Sequence, residues 1–127
     1  MFNRRDKARN EISTLVGSGT RIVGDVDFAG GLHLDGQVYG NIRGVEGAEA
    51  ILTVGPEGVV EGSVEVDQVL LDGTVRGDVV ASDRVELGAA SRVIGNVVYR
   101  VIEMASGAEV NGSLIHHDPA QPQDEGD

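Results

Sequence analysis

Three histidines and 21 carboxylates are the side chains with which this 127-residue chain could do chemistry. It has no cysteine, so disulfides and thiolate metal sites are closed to it. His33, His116 and His117 are metal-ligand types. Neighbours on a strand project to opposite sides, so His116 and His117 cannot face one ion, and His33 falls at an outward position between Leu32 and Leu34. Glycoside hydrolysis needs a carboxyl pair in a setting that occurs once. Asp25 and Asp78 instead recur in the same register as Asn41, Ser63, Asn96 and Ser113. A small polar residue repeated at one position marks a structural ladder at a turn. No Gly-x4-Gly-Lys-Ser/Thr loop is present, the only lysine is Lys7, and Gly17-Ser18-Gly19 lacks the third glycine and following helix of a dinucleotide site. The expectation is a protein that is not an enzyme and takes no cofactor, metal or nucleotide.

The elements that must hold these residues announce themselves by repetition. Six times the chain places an apolar residue, any residue, glycine, a small polar residue and an apolar residue. The copies run from Ile22-Val23-Gly24-Asp25-Val26 through those centred on Gly40, Gly62, Gly77 and Gly95 to Val110-Asn111-Gly112-Ser113-Leu114. The glycines lie 16, 22, 15, 18 and 17 residues apart, and the spacing of 22 implies a small loop inserted within residues 43–50. A second apolar element precedes each copy, as in Leu32-His33-Leu34 or Val85-Glu86-Leu87. The turn between the two elements has a long form, after Val16, Val54, Leu87 and Met104, and a short Leu-Asp-Gly form at Leu34 and Leu71.

Side chains of a strand alternate with period two. Three inward columns follow, each visited once per repeat. The first is Ile22, Val38, Val60, Val75, Val93, Val110. The second is Val26, Ile42, Val64, Val79, Val97, Leu114, and the third Val16, Leu34, Val54, Leu71, Leu87, Met104. This predicts an all-β, single-domain parallel β-helix (solenoid) of about six coils and three short faces, over residues 14–115. Flexible segments flank it, basic over 1–13 and acidic, disordered over 116–127. Twenty valines and only four aromatics suit such a stack, in which small β-branched residues pack on their own kind. The column glycine would sit inside or at a corner, where a Cβ would crowd the turn. The spacing leaves handedness open, and Val16, Ile22, Phe28 and Leu34 fall six apart as in left-handed helices.

Charge is unevenly spread over the net −11. Residues 1–16 sum to +2, residues 17–115 to −9, and the last twelve carry four acids. An acidic body lacks the basic face that nucleic acid requires. No apolar run reaches the length of a membrane span.

Val16-Gly-Ser-Gly-Thr-Arg-Ile-Val-Gly-Asp25, Leu34-Asp-Gly-Gln-Val-Tyr-Gly-Asn-Ile42 and Leu71-Asp-Gly-Thr-Val-Arg-Gly-Asp-Val79, taken in series, resemble the bactofilins, bacterial polymer-forming cytoskeletal proteins. The resemblance covers residues 1–114. It implies a right-handed β-helix whose subunits join end to end without nucleotide. The same function follows from the pattern of ends. An open solenoid leaves unpaired strand edges at both ends, solenoids ordinarily cover them with caps, and no capping helix is legible here. Another copy would satisfy them. The expected contact residues are Ile22, Val26 and Phe28 at one end and Met104, Val110 and Leu114 at the other.

Met1 and Phe2, followed by Arg4, Arg5, Lys7 and Arg9, could bind an anionic membrane surface, weakly in one copy and strongly in many. The resemblance favours that role. It implies a cytoplasmic scaffold on the inner face of the cytoplasmic membrane, a homopolymer that positions cell-wall or morphogenesis proteins. Outward Leu70 and Ile94 are candidates for lateral contact between filaments. Two other classes use the same fold, a left-handed β-helix enzyme of acyltransferase or metal-dependent type and a monomeric adaptor. The first would place histidines on the helix faces.

Overall fold

The structure is a computed structural model that describes residues 14–117. Among the described residues β1 (Thr14–Val16) comes first. Coil one follows as β2 (Arg21–Val23), β3 (Val26–Phe28) and β4 (Gly30–Leu34), and coil two as β5 (Gln37–Tyr39), β6 (Ile42–Gly44) and β7 (Ala50–Val54). Coils three and four each have two strands, β8 (Val59–Glu61) with β9 (Val64–Leu71) and β10 (Thr74–Arg76) with β11 (Val79–Leu87). Coil five is β12 (Arg92–Ile94), β13 (Val97–Tyr99) and β14 (Val101–Met104), and β15 (Glu109–Asn111) and β16 (Leu114–His116) end the stack.

Strands of successive coils pair in parallel, which makes a solenoid with three faces, each six strands deep. The first face is a separate sheet in the order β15-β12-β10-β8-β5-β2. The second and third faces form one ten-stranded sheet, because β9 and β11 run across the corner between them with a register shift between Ala81 and Arg84. The three expected faces are thus present, but only one is a sheet by itself.

The three inward columns are met pair by pair. Ile22 stands on Val38, Val38 on Val60, Val60 on Val75, Val75 on Val93 and Val93 on Val110. The second column runs in the same way from Val26 to Leu114 and the third from Val16 to Met104. A fourth, of Leu32, Leu52, Val69, Val85 and Ile102, lines the third face. From Leu32 to Val97 these side chains are almost wholly buried. Each buried Val or Leu contributes roughly 1.5–3 kcal/mol of apolar transfer, and every interior layer meets a similar layer above and below.

The repeat glycine lies at the corner between the first and second faces. It points along the stacking direction: a Cβ on Gly40, Gly62, Gly77, Gly95 or Gly112 would overlap the carbonyl oxygen of the repeat glycine in the coil before. Of the two expected places, the corner is the one occupied. The small polar residue that follows tightens the same corner. Asn41 N–H donates to Asp25 Oδ1 at 2.9 Å, Ser63 N–H to Asn41 Oδ1 at 2.9 Å, Asn96 N–H to Asp78 Oδ1 at 2.9 Å and Ser113 N–H to Asn96 Oδ1 at 3.0 Å.

The long turns close with a bond from the fourth residue to the first, as Thr20 N–H to the Gly17 carbonyl at 3.1 Å and Gly58 N–H to the Gly55 carbonyl at 2.9 Å. Ser91, buried in the turn of coil five, donates from Oγ to the Gly88 carbonyl at 2.8 Å. The inserted loop leaves at Val45 and rejoins at Ala50, at the corner between the second and third faces.

Candidate functional site

The ends of the solenoid are where its ladders stop. Among the described residues, β1, β2 and β3 pair only with β4, β5 and β6, and β14, β15 and β16 only with β11, β12 and β13. Each end therefore presents a complete layer of three strand edges above an apolar section. Alternate N–H and C=O groups on such edges form the template for another strand.

The six expected contact residues all lie in these two layers, three at each end. Ile22 and Val26 are half-buried and Phe28 is buried in the first layer. In the last layer Val110 is half-buried, while Met104 is 44% exposed and Leu114 45% exposed. In the interior coils the same columns are fully covered, at Leu71 and Val79 for example. The exposure of Met104 and Leu114 is that of core positions with no seventh layer on top among the described residues.

Sequence reasoning missed two residues at this second end. Val101 and Ile115 are exposed apolar side chains at outward positions of the last layer. Val101 stands in register with Arg84 of the coil before, and Ile115 with Val98. An apolar residue at an outward position of a final coil, where an earlier coil carries a charge, was the available signal for Val101. β16 includes His116, whose ring packs 5.6 Å from that of Tyr99, and His117 N–H donates to the Tyr99 carbonyl at 2.7 Å. The last strand ends at His116.

The residues weighed for chemistry are engaged elsewhere. Asp25 and Asp78 accept backbone N–H groups of the corner ladder. His33 faces outward, half-buried, with Nε2 3.0 Å from Asp35 Oδ2. A concavity of about 640 Å³ opens beside the inserted loop between Asp27, Arg43, Glu46, Glu65 and Asp67. Asp67 there accepts from Ala50 N–H at 2.8 Å and from Ser82 Oγ at 2.7 Å, so its carboxylate holds the corner together. Arg84, between Glu86 and Glu103 on the third face, has its pKa raised, first by the hydrogen bond to Glu86 and then by that to Glu103. Met1, Phe2, Arg4, Arg5, Lys7 and Arg9 lie outside the described residues.

Of the two outward apolar residues considered for lateral contact, Leu70 is half-buried on the third face and Ile94 is exposed on the first. Outward side chains of the first face stack in two columns. One is Arg21, Gln37, Val59, Thr74, Arg92 and Glu109, and the other Val23, Tyr39, Glu61, Arg76, Ile94 and Asn111. Arg76 Nη1 lies 2.8 Å from Glu61 Oε2, and Arg92 Nε 3.3 Å from Glu109 Oε1.

Comparison with known proteins places this architecture. A family model described as "Bactofilin: Polymer-forming cytoskeletal" matches residues 14–115, the solenoid almost end to end. Bactofilin BacO of Myxococcus xanthus (strain DK1622) is 36% identical over 102 residues, which span 80% of this chain and 78% of the relative. Bactofilin BacP of the same organism is 29% identical over 94 residues, 74% of this chain and 36% of the relative. No solved structure matches.

Proposed function

This chain belongs to the bactofilin family of polymer-forming cytoskeletal proteins, and from that premise we propose that it builds a filament by stacking solenoids end to end. The observation that carries the reading is the state of the two ends. Among the described residues each is a full layer of strand edges with no further strand on it, and the last layer leaves Met104 and Leu114 about half exposed at positions that are buried in every interior coil. A second copy placed on that layer would continue the parallel ladders and the inward columns together. Six layers at ~4.8 Å add roughly 29 Å of rod per subunit.

The role is structural rather than catalytic and needs no nucleotide. Residues 1–13 anchor the rod to an anionic inner membrane surface through Met1, Phe2 and their four basic side chains. Each basic residue near anionic lipid contributes ~1 kcal/mol, and a rod multiplies the copies. On that surface the polymer serves as a scaffold for cell-wall or morphogenesis proteins. Among the described residues, no helix is long and apolar enough to cross a membrane. Electron microscopy of the purified chain without nucleotide tests the reading. Rods with a subunit repeat near the coil-stack length are expected, and a protein that stays monomeric at high concentration sinks it.

A further inference from the structure

We propose that the first face of the solenoid is a self-complementary interface, at which two copies pair face to face with their axes antiparallel. The argument begins with charge. Residues 17–115 carry −9 in all, yet the first face carries Arg21, Arg76 and Arg92 against Glu61 and Glu109 and is net positive. It is the face on which two acidic bodies can meet without accumulating like charge. It also exposes Val23 at 79% and Ile94 at 43%, apolar surface on a sheet face.

The order of its residues then fixes how two copies meet. Turn one copy about a two-fold axis lying along the strands. Layer one then faces layer six, layer two layer five, and layer three layer four, with each outward column facing itself. Arg21 meets the second copy's Glu109, and Glu61 meets its Arg76. Tyr39 meets Ile94, and Gln37 meets Arg92. Both opposite-charge combinations occur twice by symmetry, and no like charges are opposed. Glu61 and Arg76 already lie 2.8 Å apart within one chain, so the centre becomes a square of alternating charge.

Other arrangements fare worse. A slip of one layer sets Arg76 against Arg76 in one direction, and Glu61 against Glu61 with Arg21 against Arg92 in the other. With axes parallel each layer faces itself with its two columns exchanged, and every charge meets a neutral residue. Repulsion in the wrong registers is how specificity is built.

The occupant is therefore a second copy of this chain, and the area says in what state. The face measures roughly 29 Å by 10 Å, about 290 Å² per copy, against ~800 Å² per partner for a stable interface. A lone pair would be transient, whereas about three subunits in line reach the required area. The pairing of whole rods thus rests on the end-to-end reading above.

The test images the full chain in low salt and in ~1 M salt, where exposed charges are screened beyond ~3 Å. Wild-type rods should be doubled in low salt and single in high salt. Arg76→Glu and Glu61→Arg, both in central layers away from the ends, should each give single rods of unchanged length and about half the width. Mixing preformed rods of the two variants should restore doubled rods, since an all-acidic centre then faces an all-basic one. Rods whose width ignores salt, variant and mixing overturn the face pairing and leave the end contact standing. If no rods form, cross-linked dimers that vanish in each variant and return on mixing keep the face pairing and overturn the end contact alone. Dimers indifferent to both changes, or absent in the wild type, overturn the face pairing.

Discussion

The carbonyl oxygen of Gly62 occupies the space that a Cβ on Gly77 would need. The same relation links each of the repeat glycines from Gly24 to Gly112. The coils can stack at strand distance at this corner only because one residue type stands there in every turn.

Gly77→Ala should therefore lower stability by roughly 3 kcal/mol, since backbone on both sides must shift and φ of 154° is itself costly for alanine. Gly17→Ala, where a Cβ meets nothing within 4 Å, should change stability by less than about 0.5 kcal/mol. Thermal or denaturant unfolding of the two variants checks this. Equal losses would place the constraint elsewhere.

The corner ladder makes a graded prediction. Asn96→Ala removes the acceptor of the Ser113 N–H and should cost about 1 kcal/mol. Asn96→Asp should be nearly neutral, because Asp25 and Asp78 already accept the equivalent bond in their own coils. If aspartate is as damaging as alanine in unfolding experiments, the bond is not what that position supplies.

End-to-end stacking is tested at Leu114. Its side chain is 45% exposed in the last layer, so Leu114→Arg can reach water in a single copy and the fold should survive. In a stacked rod the same charge is buried without a partner, at a cost of several kcal/mol. The expected product is a folded β-rich species without rods, seen by circular dichroism and electron microscopy. Thr53→Arg, at an outward position in the middle of the third face, should leave rods intact. Rods of normal length from Leu114→Arg would sink the stacking contact.

Deleting residues 1–9 removes Met1, Phe2, Arg4, Arg5, Lys7 and Arg9 together. Rods should persist, because among the described residues the strand ladders of the stack are complete without residues 1–9. Co-flotation with anionic vesicles should be lost. Undiminished flotation of the truncated chain would move the membrane contact onto the solenoid itself.

Much of this molecule was legible in one dimension. Inward columns such as Val38–Val60–Val75 follow from the sequence, because strand alternation and the coil period are both distances along the chain. The burial of valine and leucine then marked the register. The repeat glycine was legible for the same reason, since it recurs once per coil, and the structure set it at the corner rather than inside. The six expected end residues follow from knowing which coil comes first and which last.

What the sequence by itself determined is the coil and its inward columns, because apolar burial and backbone crowding select residue types at fixed intervals. Only the tertiary structure decided that β9 and β11 bend across a corner to join two faces into one sheet, that the loop at Val45 opens a concavity beside Asp67, and that Glu61 stands beside Arg76 on an outward face. Outward side chains are not sorted by burial, so their types follow no period. Their meaning lies in which of them register and hydrogen bonding set side by side, and that is a property of the stack, not of the chain.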